Sequence, residues 1–385
     1  MKLKLKNTPE QVELIKAMGS RNATEAREAQ EAFASFIGPV VQQVIQQAGT
    51  ASLIFVDNEY DEDDSPSYPL DLYYNENQDH ITVWSQGIAG GLPTSHVEGM
   101  AEMKIATYRL DSAVTFLKKY ARRARLDVLS KTIERMSQEV LLKQERNAWA
   151  VILKALAEAN TNGAVHTIGG MDANQFLPSD INALMTLVKR INGSWAGTGN
   201  DGTPADFSAR GLTDLFLSPE MMEDVRGFAY NPVNDLDVGS KETGPVSLPD
   251  NVRSDIWSSA GMSSLYGVVL HEMLEFGNGK KYNALYKTFV DASGLTHYAP
   301  HASGGTRNGS LDLSSGASNH EVLVGLDLSR DSFIRPVARH ADSGSTFVAV
   351  PDDQFVSRAE RIGFYGSLEE GRVCLDSRAI VGIHV

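Results

Sequence analysis

The chain has 385 residues, 42% of them hydrophobic, and a formal net charge of -14, which fits a folded protein of two or three domain-sized units. The acidic balance argues against a large nucleic-acid-coating surface. No run approaches the roughly 20 apolar residues that cross a bilayer, the N-terminus lacks the apolar core of a secretory signal, and a single cysteine, Cys374, excludes an intramolecular disulfide framework.

Residues 1–67 are predicted to form a helical arm. Thr8 stands in the N-cap position, and Pro9 follows at the first helical position. Apolar residues then recur at helical spacing, and we expect Gly19 and the Gly38–Pro39 pair to divide the segment. Such an interrupted helix is not a complete domain. Its apolar side chains are therefore expected to find their partners elsewhere.

Two charged runs stand out. The acidic run DNEYDEDD, from Asp57 to Asp64, lacks the Gly and the terminal Glu of a calcium loop, so we expect a solvated turn. The basic run KKYARRAR, from Lys118 to Arg125, is expected to be a solvated helix face or a subunit contact.

Residues 68–111 change to a β-favouring pattern. The runs ITVW (Ile81–Trp84) and MKIATYRL (Met103–Leu110) flank the Gly-rich segment QGIAGGLPTSHVEG, which predicts a long hairpin. Two strands cannot cover both of their own faces and are not stable alone. We therefore expect the hairpin to lie on another surface.

The strongest helix prediction follows, because residues 126–160 contain neither Pro nor Gly. At 1.5 Å per residue, about 33 residues make a rod of roughly 50 Å. Gln144 is the polar exception in its apolar stripe. A coiled coil is the alternative, but the stripe is short and Ala-rich at its end. The stripe includes Leu129, Ile133, Met136, Val140, Ala148 and Ala159, of which we expect Ile133, Met136 and Val140 to lie in the chain's own core.

After Gly170 the pattern is mixed α/β. Ser179 is predicted to cap a helix that continues to Ile191. The run LTDLFL, Leu212–Leu217, is typical of a buried strand, and SPEMMEDVRGF, Ser218–Phe228, has the cap, first-turn acids and terminal Gly of a helix.

Further strands are predicted toward the C-terminus, starting with Ser264–Leu270. The segment His301–His320 is predicted to be a flexible surface insertion. EVLVGLDL, STFVAV, RIGFYGSL, RVCL and AIVGIHV are the late strand candidates. The predicted fold class is therefore α+β.

The stretch HEMLEFGNGKKY, from His271 to Tyr282, resembles two catalytic motifs and satisfies neither. A zinc-peptidase HExxH motif needs a second His where Glu275 stands, and Gly277 and Gly279 break the helix that would hold the pair. A phosphate-binding loop needs GxxxxGK[ST], and the spacing here differs. The stretch is interpreted as a turn.

No other catalytic motif is complete. His297, His301 and His320 could cluster in a loop, but there is no GxSxG elbow and no nucleotide fingerprint between a strand and a helix. We expect a protein that is not an enzyme, with no catalytic residue, no cofactor and no metal. The alternative from another class is a metal-dependent hydrolase that uses His271 and Glu272.

The order of elements resembles a known family of shell proteins. The resemblance rests on four stretches: MAEMKIATYRLDSAVTFLKKYARRARLDVLSKTIERMSQEVLLKQERNAWAVI, RGLTDLFLSPEMMEDVRGF, VRSDIWSSAGMSSLYGVVLHEM and DDQFVSRAERIGFYGSLEEGRVCLDSRAIVGIHV. In turn they resemble the E-loop strand with the spine helix, the A-domain strand and helix, a strand before a rim loop, and the C-terminal return. These belong to the major capsid proteins of tailed bacteriophages, whose fold is named after coliphage Hong Kong 97.

The resemblance implies a domain layout. Residues 277–320 would form a surface insertion in the A-domain. The layout is an N-terminal arm at 1–67, an E-loop hairpin at 68–111, a P-domain with the spine helix at 112–171, an A-domain at 172–332, P-domain return strands at 333–366, and a C-terminal strand toward the A-domain at 367–385.

The resemblance also implies a function. Many copies would assemble, in the cytoplasm of a bacterial host, as hexamers and pentamers of an icosahedral shell that encloses double-stranded DNA in the virion. Further partners would be portal, scaffolding and decoration proteins, with no membrane. The residues implied in subunit contacts are Trp84, Ile88, Leu92 and Tyr108 in the hairpin, and Phe33, Phe36 and Val40 in the arm.

Two points qualify the resemblance. The 67 residues before the hairpin are nearer to the length of an arm than to that of a cleavable scaffold, so a separate scaffolding protein, or none, is expected. An encapsulin-type cargo shell shares the fold and remains an alternative. The longer arm and the insertion argue against it.

Overall fold

The computed structural model describes residues 8–47, 49–62, 64–69, 102–160, 165–170, 175–193, 211–228, 254, 264–295, 298–299, 309–310, 320–329, 332–340, 344–352 and 360–385. The chain divides into two compact units. Unit 1 consists of Met1–Tyr68, Met103–Trp149 and Phe333–Val373, and unit 2 of Pro69–Glu102, Ala150–Ser332 and Cys374–Val385.

The described residues form helices and strands in mixed order, so the predicted α+β class is confirmed. The helices are α1 Pro9–Met18, α2 Ala23–Gln47, α3 Ala51–Ile54, α4 Lys118–Arg122, α5 Leu126–Glu158, α6 Pro178–Gly193, α7 Pro219–Gly227 and α8 Lys281–Ser293. The strands are β1 Val56–Asp61, β2 Ser67–Pro69, β3 Glu102–Lys104, β4 Tyr108–Leu117, β5 Thr167–Gly169, β6 Asp214–Leu217, β7 Ser264–Leu265, β8 Val268–Glu272, β9 Tyr298–Ala299, β10 Gly309–Ser310, β11 Val322–Leu326, β12 Phe333–Arg339, β13 Val348–Asp352, β14 Arg361–Glu370, β15 Val373–Cys374 and β16 Ile380–His384.

The central strand of unit 1 is β14. Along one edge it pairs antiparallel with β4 over ten positions, from Arg361 opposite Leu117 to Glu370 opposite Tyr108. Its other partners are β13 and, at Glu370, β12. Strand β1 pairs with β12 in the parallel direction. Burial alternates along β4, as expected for a strand with one face on the core.

Helices pack on this sheet through the apolar stripes that the sequence predicts. Met136 and Val140 of α5 are buried and Ile133 is partly buried, so their prediction as core is confirmed. Helix α5 passes close to β14 at Gly366, where an added Cβ would lie 2.4 Å from Met136 Cε. A Cβ there would also lie 2.4 Å from Phe347 Cζ, so a larger residue would require both side chains to shift.

The arm helices differ from two expectations. Helix α2 runs through Pro39 without interruption, whereas Gly19 does separate α1 from α2. Most of the apolar residues of the arm helices are also covered by their own chain rather than left for partners elsewhere, because α1 and α2 complete the core on the sheet of unit 1. These buried residues are Ile15, Met18, Ala29, Phe33, Ala34, Ile37 and Val41.

Unit 2 has a six-stranded sheet in the order β5-β16-β11-β6-β8-β7. Its central strand, β11, is antiparallel to both β16 and β6, and β6 is parallel to β8. Every residue of β6, β11 and β16 is buried. Such strands are covered on both faces, which is why they read as continuous apolar runs.

Helix α7 matches its prediction, and helix α6 does not match at its start. Ser218 caps α7, with its hydroxyl oxygen accepting a hydrogen bond from Met221 N at 3.2 Å. The cap predicted at Ser179 is wrong because α6 already includes Pro178. The side chain that accepts a hydrogen bond there is Asp180, from Leu177 N at 3.0 Å.

Three further segments differ from expectation. The predicted strand Ser264–Leu270 is a hairpin, because Tyr266 (φ 53°) and Gly267 (φ 84°) form a turn with two positive φ values. Part of the predicted insertion 277–320 is helix α8, whose Tyr282, Tyr286 and Val290 are buried at four-residue spacing. The acidic run predicted as a turn contains most of β1, which pairs with β12.

No helix within the described ranges is long and apolar enough to cross a bilayer. The predicted domain boundaries are not tested by the division into two units, and they stay a prediction.

Candidate functional site

The HEMLE segment, His271–Glu275, begins at the end of a strand and is not on a helix. His271 and Glu272 are the last residues of β8, and a turn follows before α8 begins. Successive residues of a strand point to opposite faces. The helix that would bring positions 271 and 275 to one ion in an HExxH site is therefore not formed here.

His271 is occupied by a partner inside the sheet. Its Nε2 donates a hydrogen bond to Asp214 Oδ1 at 2.6 Å, and its ring stacks on Phe216 with 4.7 Å between centroids. Burial acts to raise the pKa of Asp214, but the hydrogen bonds from His271 and Thr213 outweigh it and hold that pKa below its usual value. This pair joins two parallel strands, β6 and β8.

No group of three or more His, Cys, Asp or Glu side chains in the described part of the chain is placed to share a metal ion. His297 and His301 lie outside the described residues, so the predicted histidine cluster reduces here to His320. The Nδ1 atom of His320 is buried without a hydrogen-bond partner, and burial lowers the pKa of its imidazole. It lines a cavity of ≈ 150 Å³ together with Tyr286 and His384.

Three of the four predicted hairpin contacts, Trp84, Ile88 and Leu92, lie outside the described residues. The fourth, Tyr108, is half-buried at the start of β4, and its hydroxyl donates a hydrogen bond to Glu370 Oε1 at 2.9 Å. The polar end of Tyr108 therefore has a partner within its own chain.

The three predicted arm contacts lie in different environments on α2. Phe33 is 3% exposed and packs on Phe364, with 5.4 Å between ring centroids. Val40 is half-buried, and Phe36 is 48% exposed. Of the three, Phe36 offers the most apolar surface to another molecule.

Unit 1 contains a buried network of polar groups around Glu370, which the sequence did not predict. The side chain of Glu370 is 0% exposed, and its Oε2 lies 3.0 Å from Arg335 Nε, at an angle that does not make a hydrogen bond. Arg372 Nη2 lies 3.4 Å from Glu370 Oε1. Gln144 Nε2 donates to Glu370 Oε2 at 2.9 Å. The carboxylate thus contacts helix α5, strand β12 and the turn that follows its own strand.

The Glu370 network extends toward strand β1. Arg335 Nη1 lies 3.2 Å from Asp57 Oδ1, and the guanidinium of Arg372 lies over the Phe55 ring, 5.1 Å from its centroid. Burial raises the pKa of Asp57, against the lowering effect of Arg335. Burial, and then the charge of Glu370, raise the pKa of Tyr108 to about 12.

The only signal of this network in the sequence is Gln144, which interrupts the apolar stripe of α5. A buried amide needs hydrogen-bond partners, and Glu370 supplies one. Glu370 is 226 residues away in the chain, so sequence pattern alone could not identify it.

A second polar contact joins α5 to the start of α3. Glu145 Oε1 accepts from Ala51 N at 2.9 Å, and Glu145 Oε2 accepts from the Thr50 hydroxyl at 2.7 Å. The Trp149 indole N–H donates to Thr50 Oγ1 at 2.9 Å. The carboxylate thus satisfies a backbone donor at a helix N-terminus, where negative charge is favourable.

The two charged runs remain largely on the surface. In the basic run, Lys119, Arg122, Arg123 and Arg125 are exposed, and Arg122 Nε donates to Gly19 O at 2.9 Å. In the acidic run, Glu62 lies 2.9 Å from His340 Nδ1. The acidic run therefore lies beside basic side chains: Asp57 is near Arg335 and Glu59 is near Arg339, both of β12, and Glu62 is near His340, which follows β12.

Several large apolar side chains are exposed in each unit. In unit 1 they are Phe36, Leu53, Val56, Leu142 and Val350. In unit 2 they are Tyr266, Val269 and Leu274. Leu274, in the turn after β8, is 73% exposed.

No family model matches the sequence, and no curated protein matches it. Solved structures resemble the chain over most of its length at low identity. The capsid of cyanophage P-SCSP1u is 10% identical with a TM-score of 0.49, over 86% of this chain and 86% of that chain. The capsid of a native GTA particle is 13% identical with a TM-score of 0.48, over 88% of this chain and 90% of that chain. A virus-like particle from Pyrococcus furiosus is 9% identical with a TM-score of 0.42, over 91% and 99%. With TM-scores below 0.5, these likenesses carry no argument about function.

Proposed function

We propose that this chain is a major capsid protein with the Hong Kong 97-type fold, which assembles with copies of itself into the closed shell of a tailed phage. Its role is structural rather than enzymatic. Hexamers and pentamers would form the shell, and double-stranded DNA would fill it.

The interleaved path of the chain supports this proposal most directly. Unit 1 is assembled from an N-terminal segment, the first part of the long helix α5 and late return strands, and unit 2 takes the middle of the chain and the last strand. In unit 2, β16 inserts between β5 and β11. An arm, a long helix, a central domain and a late return in that order are what the resemblance of the sequence implies.

The state of HEMLE supports a structural role for this segment. His271 is hydrogen-bonded to Asp214 and stacked on Phe216, which are contacts that join two strands. An open metal-water site, by contrast, would need three protein ligands around one ion. The metal-dependent hydrolase that uses His271 and Glu272 therefore has no geometric support among the described residues.

The net charge of -14 also suits a container. A chain that carries excess negative charge is repelled by phosphate, so it does not bind packaged DNA tightly through a general electrostatic term. Enclosure without sequence-specific contact would be the result. Assembly in the bacterial cytoplasm, and portal, scaffolding and decoration partners, belong to the same proposal.

Assembly is tested by negative-stain electron microscopy of the full chain, expressed alone and with the gene products encoded beside it. Closed shells, or rings of five or six copies, are the expected result. Small oligomers of one size under every condition would overturn the proposal. Shells filled with protein rather than DNA would favour the encapsulin-type alternative.

A matched pair of variants on α2 tests whether the arm takes part in assembly. Phe36 and Ser35 are neighbouring exposed residues of this helix. Phe36→Asp is expected to abolish shells without changing the melting temperature of the unassembled chain, because it adds charge to an apolar contact. Ser35→Asp should still assemble. If Phe36→Asp assembles as well as Ser35→Asp, Phe36 is not in a subunit contact.

A further inference from the structure

A buried carboxylate in unit 2 is only partly satisfied by its own chain. Glu321, just before β11, is 4% exposed, and its Oε1 atom has no hydrogen-bond partner. Leaving a charged oxygen buried and unpaired is costly. Either the side chain is neutral, or something outside the chain completes it.

A second carboxylate faces the same space. A Cβ added to Gly277 would lie 3.5 Å from Glu321 Oε1 and 3.3 Å from Glu220 Oε2. Both oxygens therefore lie beside the position that a side chain at residue 277 would occupy. Gly277 itself has a φ of 125°, which side-chain-bearing residues rarely adopt.

The nearby charges are mostly of one sign. Burial raises the pKa of Glu321, the Ser218 hydroxyl opposes this effect, and the negative charges of Glu220 and Asp224 raise the pKa further. The start of helix α7 contributes about half a positive charge. That is less than the charge of two ionised carboxylates.

We propose that Glu321 and Glu220 bind a divalent cation in the space beside Gly277, between the start of α7 and the turn that precedes α8. Calcium fits this chemistry, since it accepts carboxylate and carbonyl oxygens with irregular geometry at about 2.3–2.6 Å and keeps waters as further ligands. The proposed site uses two acidic side chains. It is therefore compatible with the finding that no three His, Cys, Asp or Glu side chains of the described residues are placed to share a metal ion.

The competing occupant is Lys280, whose Cγ lies 3.2 Å from the same added Cβ. Its flexible ammonium group could move to the carboxylates in place of a metal. The two occupants differ in one respect. If Lys280 is the occupant, replacing it removes the cation that neutralises the carboxylates. If a metal is the occupant, replacing Lys280 removes a positive charge that repels the metal.

The test is isothermal titration of the unassembled full chain with CaCl₂, with NaCl at matched ionic strength as the blank. One Ca²⁺ per chain is the expected result, and Glu321→Gln and Glu220→Gln should each weaken its affinity about tenfold or more, because calcium affinity follows the number of ligand charges. Glu220 is exposed, so Glu220→Gln keeps the test valid if Glu321→Gln does not fold.

Two controls separate this site from others. Glu223→Gln removes an exposed neighbouring acid of α7 that does not contribute any of the three atoms nearest to the Gly277 Cβ position, and it should change the affinity less than twofold. Lys280→Met should leave the affinity unchanged or raise it. Failure of the wild-type chain to bind Ca²⁺ at millimolar concentration would overturn the proposal, as would binding that persists in both Gln variants. None of these outcomes depends on whether the chain assembles into shells.

Discussion

The sheets of the two units are stabilised by different chemistry. In unit 2 the strands β6, β11 and β16 are buried along their whole length, and their contacts are overwhelmingly apolar. In unit 1 the central strand β14 ends in Glu370, a buried carboxylate with two buried arginines and an amide around it. The stability of the sheet in unit 2 depends on buried apolar area. The stability of the sheet in unit 1 depends in addition on the pairing of a few buried charges.

Apolar burial is tolerant of detail, whereas buried charge is not. Deleting one apolar side chain loses contacts in proportion to its size. Removing one member of a buried ion group leaves the others uncompensated. The Glu370 network also contacts α5, β4 and β12. We expect it to specify the arrangement of unit 1 more than it adds to the net stability.

The largest expected effect comes from Glu370→Gln. The substitution keeps the shape but leaves Arg335 and Arg372 buried beside a neutral amide, so we expect a loss of about 3–5 kcal/mol in the free energy of unfolding. Chemical denaturation of the unassembled chain measures it. Glu139→Gln, at an exposed position of the same unit, is the control and should change the free energy by less than about 0.5 kcal/mol. Equal results for the two variants would remove the contrast between the units.

A comparable loss is expected from an apolar position of unit 2. Leu215 of β6 is 0% exposed, and Leu215→Ala should cost about 2–5 kcal/mol because it leaves a cavity. This loss should not vary with salt, because an apolar contact carries no charge for salt to screen. Val269→Ala, at a 41% exposed position of β8, is the matched control. A strong salt dependence for Leu215→Ala would show that the sheet of unit 2 is less apolar in its energetics than its burial indicates.

Gln144→Leu should have a smaller effect than Glu370→Gln. The leucine fits the apolar stripe of α5, but Glu370 loses one of its donors, so about 1–3 kcal/mol is expected. The double variant with Gln144→Leu and Glu370→Leu should not regain the lost stability, because Arg335 and Arg372 remain buried without a carboxylate. If Gln144→Leu stabilises the chain, the amide is not part of the network that holds Glu370.

The sequence predicts these two regions unequally well. The runs around Leu215 and Val324 and the spacing of α5 identified strands and a helix, because apolar periodicity is a local property. Helix α8 has a local pattern as well, in Tyr282, Tyr286 and Val290, but the flanking glycines masked it. The Glu370 network joins residues far apart in the chain, and no local pattern can predict such a group.

The smallest expected effect concerns a polar contact of the apolar sheet, the Asp214–His271 pair. The folded-state pKa of Asp214 is below its usual value, so its ionised form is favoured by folding. The contribution is therefore fully present above pH about 4, the unfolded pKa, and is lost as the pH falls through the lowered folded value. Asp214→Asn should lose about 1 kcal/mol at pH 7 and should flatten the acid limb of a plot of unfolding free energy against pH.

The effect is expected to be small because the pair joins only β6 to β8, near one side of the sheet, and is partly exposed to solvent. Its loss should therefore change the remaining strands little. If Asp214→Asn were as damaging as Glu370→Gln, the distinction between a charge-matched sheet and an apolar one would fail, and HEMLE would matter for stability more than its position indicates.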